Sequence, residues 1–188
     1  MTTAIAPAQG LLAGTWTIDP VHSEVSFTVR HLMLSKVRGT FRTFSGQLTV
    51  NEDLQASSVT AEIEMDSIDT RDQTRDNHLR TKDFFEVEKY PTMTYRSTGV
   101  RADGEDYVVD GELTLHGVTR PVSLGLEFGG VGPDPYGGTR AGFSASTVIN
   151  RNDYGVDIKM LMDGGGVVVG DKINIHVEIE AVLDQPQA

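Results

Sequence analysis

From Val25 the chain alternates, with Val25, Phe27 and Val29 on one side of an extended backbone and Ser26, Thr28 and Arg30 on the other. A period of two marks a strand with one face in an apolar interior. The alternation returns from Val37 to Val50, where Gly39 and the Ser45-Gly46 pair are the expected kink points. It returns with Val59, Ala61, Ile63 and Met65 set against Thr60, Glu62 and Glu64, and then over 92–100, 107–115, 121–128, 140–149 and 172–183. These runs predict eight strands.

ADGED at 102–106 and HGVTRP at 116–121 are short and rich in turn formers, so they predict hairpins between neighbouring runs. GGVGPDPYGG, 129–138, holds five glycines and two prolines, which predicts an exposed loop with no ladder through it. All seven prolines are expected at ends or turns. Antiparallel strands on short connections form either a two-sheet sandwich or a closed barrel. The difference bears on function, because an eight-stranded barrel can hold one small ligand whereas a sandwich interior is filled.

One segment breaks the pattern. SIDTRDQTRDNHLRTKDFFEVEKYP, 67–91, has six acidic and five basic residues and ends in adjacent aromatics, Phe84 and Phe85. Thr70 with Gln73 has the form of a capping box, and Asp76 with Arg80 stands at helical spacing. A short helix over 72–81 is expected. Leu79 is almost its only apolar residue, so its flanks must hold it down. Two adjacent aromatics cannot both face one strand's core. In a turn both can cap the end of a barrel, either as core or as a mobile lid over an apolar pore.

A length of 188 residues with 38% hydrophobic content suits one domain. It is expected over 14–184, between flexible tails at 1–13 and 185–188. The formal charge of -11 opposes binding through phosphate neutralisation, so no nucleic-acid partner is expected. The absence of cysteine excludes a disulfide framework, a thiol nucleophile and a thiolate metal site. The stretch MTTAIAPAQGLLAGTW has no Lys or Arg and no long apolar run, and no later segment approaches a membrane span. A soluble, cytoplasmic protein without stable membrane insertion is expected, and the sequence leaves a homodimer open.

Five stretches in order, WTIDPVHSEVSFTVRHLM, VRGTFRTFSGQLTV, RDNHLRTKDFFEVEKYPTMTY, GELTLHGVTRPVSL and INRNDYGV, give the chain a resemblance to the YceI-like family. These proteins are also described as polyisoprenoid-binding or bacterial lipocalin-like. The likeness runs from about Thr15 to Leu183. It implies an all-β fold, an extended eight-stranded antiparallel lipocalin-like barrel with a short helix-and-loop excursion. It also implies a hydrophobic pore that takes long isoprenoid or other acyl chains. Some relatives are fused to cytochrome modules and are suspected of handling quinones. Many members carry a secretory signal, whereas this chain opens without one, so the periplasmic role is not carried over.

No G-x-S-x-G or H-E-x-x-H motif is present. His22, His31, His78, His116 and His176 are scattered, so no metal site is expected and each histidine is assigned a hydrogen-bonding or solvated role. DGGGVVVGD, 163–171, lacks the lysine of a phosphate loop and is expected to lead into the last strand. The expected ligand is an isoprenoid lipid or quinone, with no further cofactor. The expected lining is Phe27, Val29, Phe41, Ile63, Met93, Tyr95, Leu113, Leu124 and Phe143, with Phe84 and Phe85 at the mouth. Arg30, His31, Arg38, Arg151 and Tyr154 are the candidate head-group contacts. The rivals are an enzyme acting on a bound lipid through Asp153 or Tyr154 near Arg151, a fatty acid or amide binder, and a stress-associated protein with a filled barrel.

Overall fold

The computed structural model describes residues 3–158 and 168–186. Its strands are β1 (Gly14–Ile18), β2 (Glu24–His31), β3 (Ser35–Phe41), β4 (Phe44–Val50), β5 (Ser58–Glu64) and β6 (Ile68–Asp69), followed by helix α1 (Gln73–Leu79). Then come β7 (Thr92–Asp103), β8 (Asp106–Leu115), β9 (Val118–Asp134), β10 (Gly138–Asn150) and β11 (Val169–Leu183). Eight of these, in the order β1-β4-β5-β7-β8-β9-β10-β11, form an antiparallel wall that closes where β1 meets β11. The fold is the extended barrel that the resemblance implies.

β11 makes the closure by serving two partners. Its last residues face β1, with Ala181 opposite Ile18, while its first part faces β2, with Ile175 opposite Phe27. Ile173, Ile175, Val177 and Ile179 belong to the packed or lining side, whereas Asn174, His176 and Glu178 are exposed. This is the period-two pattern of a wall with one dry face. The β2–β3 hairpin consequently leaves the closed ring, and among the described residues β3 pairs on its far side with the two residues of β6.

The run from 37 to 50 is two strands rather than one kinked strand. The break falls at Arg42 and Thr43 instead of at the glycines, because the chain there hands its backbone bonds to another segment. Arg42 N donates to Ser67 O, and Glu64 N donates to Thr43 O. Gly39 serves close packing, since a Cβ would come within 2.3 Å of the Phe27 ring. The short strand β1, which the alternation from Val25 onward does not include, inserts the fully buried Trp16 between β4 and β11.

The expected loop over 129–138 is largely strand. β9 continues to Asp134, and its glycines form an irregularity at which the register on β10 shifts between Gly142 and Phe143. Two prolines also lie inside β9 rather than at a turn. β8 pairs with β9 over 118–126 and β10 pairs over 125–134, so Pro121 and Pro133 each sit where β9 has one neighbour. A residue without an N–H is tolerated with its donor-less side turned away from that neighbour. Both expected hairpin turns are observed and both are tighter than the sequence suggests, Gly104 and Glu105 within 102–106 and His116 and Gly117 within 116–121. Of the 163–171 stretch, 163–167 lies outside the described residues, and β11 begins at Val169.

Arg140 ties the closure together from outside. Its Nη1 lies 2.7 Å from Asp19 Oδ2 and 2.8 Å from Glu180 Oε1, and its Nε lies 3.1 Å from Asp134 Oδ2. The guanidinium, and after it His22, holds the Asp19 carboxyl well below the usual carboxylate range. A depressed folded pKa stabilises above the unfolded value of about 4 and is lost as pH falls through the folded value. Asp19→Asn is therefore expected to lower the denaturation midpoint at neutral pH, with the gap from wild type closing in strong acid. A gap of equal size at both ends of the pH range would show that the carboxylate charge is not what the network uses.

Candidate functional site

The inward side chains of the wall enclose a cavity of about 200 Å³. Along β7 its lining runs from Met93 to Val100, and along β8 from Leu113 to Tyr107. With a strand rise of about 3.3 Å and a tilt near 40°, that is a channel roughly 15–20 Å long. Leu48, Leu124, Leu126, Phe128, Phe143 and Ile179 supply much of the wall. Among the described residues no charged side chain lines it, and its polar members are hydroxyl groups of Ser, Thr and Tyr.

The two ends are closed differently. At one end the segment before β1, expected as a flexible tail, makes defined contacts across the mouth. Ile5 N donates to Asp53 Oδ1 and Leu54 N donates to Ile5 O, which ties the segment to the β4–β5 connection. Further along, Gly10 stands so close to Val131 of β9 that a Cβ would approach within 2.6 Å. Ala8, between these anchors, and Leu11, just after them, complete the cavity wall. At the other end Phe41, Met65, Ile68, Phe84, Tyr154 and Val156 pack into a solid core.

Comparison with known proteins places this architecture. The model of the YceI-like domain matches residues 16–181. The chain belongs to the YceI-like family. A UPF0312 protein of Photorhabdus laumondii is 45% identical over 150 residues, 78% of each chain. A crystal structure of the Campylobacter jejuni YCEI protein superposes with a TM-score of 0.70 at 32% identity, covering 83% of this chain and 90% of that one. A structure described as a polyisoprenoid binding domain from Saccharophagus degradans shares the fold, with a TM-score of 0.66 at 17% identity over 90% of this chain and 98% of that one.

Against this YceI-like barrel the expected lining divides in two. Ile63, Met93, Tyr95, Leu113, Leu124 and Phe143 line the cavity. Phe27, Val29, Phe41, Phe84 and Phe85 lie outside its lining: Phe27 packs on Phe41 in a tilted pair with ring centroids 5.8 Å apart, and Phe84 is buried in the solid end with Phe85 half-buried against it. Alternation marks which residues face inward. It carries no signal for which inward residues meet a void and which meet one another. Leu11 and Ala8 escaped the sequence reading because an isolated apolar residue in a Gly- and Ala-rich segment has no period to announce it.

The charged segment is anchored by polar bonds rather than by apolar surface. The helix N-cap is Asp72, whose carboxylate accepts from Arg75 N, and not the Thr70–Gln73 box. Thr70 instead donates its N–H and hydroxyl to the buried Asp76, at 2.9 and 2.6 Å. The expected Asp76–Arg80 pair is therefore replaced, because Asp76 turns inward and Arg80 reaches Asp66 O and Ile68 O. The helix is correspondingly short, Gln73–Leu79, and delivers Phe84 to the core with His78 edge-on to its ring at 5.0 Å.

The candidate head-group residues do not converge on the cavity. Arg30 is exposed, Arg38 is exposed and paired with Glu24 at 2.7 Å, and His31 is half-buried beside the hairpin tip. Arg151 is buried with its guanidinium donating to the Val156, Gly170 and Val169 carbonyls and to Asp171. Tyr154 is buried in the solid end, where burial raises its hydroxyl pKa. Tyr95 is the lining residue with a buried hydroxyl in a defined role. That hydroxyl is shared between the Val109 and Val122 carbonyls at 3.1 and 3.0 Å, and burial pushes its pKa up to about 12. Gly111 makes room for it, since a Cβ there would stand 2.5 Å from the phenol.

Among the described residues one group, Asp19, His22 and Glu180, has metal-ligand spacing. The Arg140 guanidinium already bridges its two carboxylates. Of the other histidines, His116 Nδ1 bonds Tyr154 O at 2.9 Å and His176, exposed, bonds Glu178.

Phe84→Ala is expected to cost about 3–5 kcal/mol in a denaturation experiment, and Phe85→Ala distinctly less. Equal and small losses would make the pair a loosely seated flap. Tyr95→Phe is expected to cost about 1 kcal/mol, the scale of one buried hydrogen bond.

Proposed function

We propose that this YceI-like protein binds a long apolar chain, an isoprenoid lipid or isoprenoid quinone, in the barrel and sequesters or carries it unchanged. The observation that carries the proposal is the elongated cavity whose lining, among the described residues, holds no charged side chain. Each methylene that leaves water for such a wall contributes about 0.8 kcal/mol, so a long chain needs few directional contacts. The polyisoprenoid binding stated for the Saccharophagus domain supports the same ligand class here. Ser57, Ser58 and Tyr107 line the cavity at the strap end, and the ligand's polar end is assigned to that side.

A binding role is favoured over catalysis because Arg151, Asp153 and Tyr154, the residues an enzyme would recruit, stand apart from the cavity lining. No metal or further cofactor enters the proposal. The cysteine-free composition is compatible with the cytoplasm as its compartment.

Ala145 lies between Leu126 and Val177 and lines the cavity, so Ala145→Phe fills it from the wall. Displacing even two methylenes of ligand is expected to weaken uptake of a prenyl quinone at least about ten-fold. Leu124→Trp is the companion variant should the first fail to fold. Uptake unchanged in folded variants would contradict binding in the cavity, and chemical change in the recovered quinone would favour the enzyme.

A further inference from the structure

The β2–β3 hairpin contributes its base to the packed end but leaves its tip in water. Met33 is 59% exposed and Leu34 is 82% exposed. The turn is closed by Leu34 N donating to His31 O, and its two central residues have positive φ, 51° at Leu32 and 57° at Met33. Hairpin turns of that conformation favour Asn and Gly, and an ordinary L-residue there carries strain. The chain places Leu and Met at these positions and follows them with a second Leu. Leu32 is half-buried, with its N–H donated to Val168 O, but folding alone gains nothing from holding Met33 and Leu34 in water on a strained turn.

The charge around the tip is equally out of character. The chain as a whole carries -11, yet no acidic residue occurs between Glu24 and Glu52. That interval contains Arg30, Lys36, Arg38 and Arg42. Arg38 pairs with Glu24 and Arg42 with Asp69, both nearer the hairpin's base. Arg30 and Lys36 face each other across the ladder next to the tip, both exposed, with no ion-pair partner among the described residues.

We propose that this tip, Leu32–Leu34 flanked by Arg30 and Lys36, docks reversibly on the headgroup layer of an anionic phospholipid bilayer. Aliphatic side chains at an extremity can enter the interface by about 5–10 Å while flanking basic residues meet the lipid phosphates. A protein partner is the weaker fit, since three side chains supply a small part of the about 800 Å² per side in a stable protein interface. The acidic remainder of the molecule is repelled by the same surface, so contact occurs through this end and is reversible. The inference is independent of what the cavity holds, because plain phospholipid vesicles display the required chemistry.

The test is flotation of the full-length protein with phosphatidylcholine vesicles, and with vesicles containing about a quarter phosphatidylglycerol, at low salt. Wild type is expected to bind the anionic vesicles at least about ten-fold more tightly than the neutral ones. That preference is expected to fade near 1 M salt, where the screening length is about 3 Å. Lys36→Glu should abolish the anionic preference, and Leu34→Asp should lower binding to both vesicles, each with an unchanged denaturation midpoint. Leu34→Trp should be quenched by brominated lipid chains. Absence of vesicle binding by wild type, binding by both charge variants at the wild-type level, or an unquenched tryptophan would overturn the proposal. So would a concentration-dependent dimer that Leu34→Asp dissolves, which would assign the tip to a second copy of the chain.

Discussion

The structure depends on one strand having two partners. β11 pairs with β10 along its length on one side, and on the other it divides its edge between β1 and β2. The β1 half closes the ring and leaves no open edge there, so the inner face, free of charged side chains among the described residues, is enclosed by a continuous ladder. The β2 half lets a hairpin depart from the ring without leaving β11 unpaired. Trp16 and Ala181, both fully buried, sit at this junction. Cavity, strap and projecting hairpin all follow from where that strand changes neighbour.

The two ends of the barrel then acquire different physics. One is a solid apolar core, fed by Phe84 from a segment whose own helix is polar and is fastened by Thr70, Asp76 and Arg80. The other is bridged by a short segment with few contacts, among them Leu11 and the Ile5 backbone. Local opening is easiest where buried apolar contacts are few, so the proposed binding role assigns the entrance to the strap end. The basic hairpin tip stands at the opposite, solid end. On this account docking to a surface and entry to the cavity are separate events at separate places.

Much of the architecture was legible in the residues. The period-two runs from Val25 to Leu183 are strands in the structure, although the first of them, β2, belongs to the projecting hairpin and the ring strand β1 precedes them all; the short turn between β7 and β8 is a hairpin. What failed depended on pairing partners that the local sequence does not contain. Pro133 and the glycines after Phe128 look like a loop, and Pro121 like the end of a turn, because proline opposes a central ladder, yet β9 is single-sided at both prolines. Thr70 and Gln73 fit a capping box until a buried carboxylate at Asp76 competes for the threonine. Of the expected lining, Ile63, Met93, Tyr95, Leu113, Leu124 and Phe143 surround the cavity. Phe27 and Phe41 face inward equally well but meet each other, a distinction of three-dimensional packing and not of pattern.

A native mass spectrum of the freshly purified protein tests the central claim most directly. The account expects a population heavier than the polypeptide by the mass of one hydrocarbon-rich molecule, released on gentle activation or organic extraction, because an apolar wall left empty forfeits its dispersion contacts. A spectrum showing the bare polypeptide alone, before and after incubation with prenyl lipids and quinones, would contradict it.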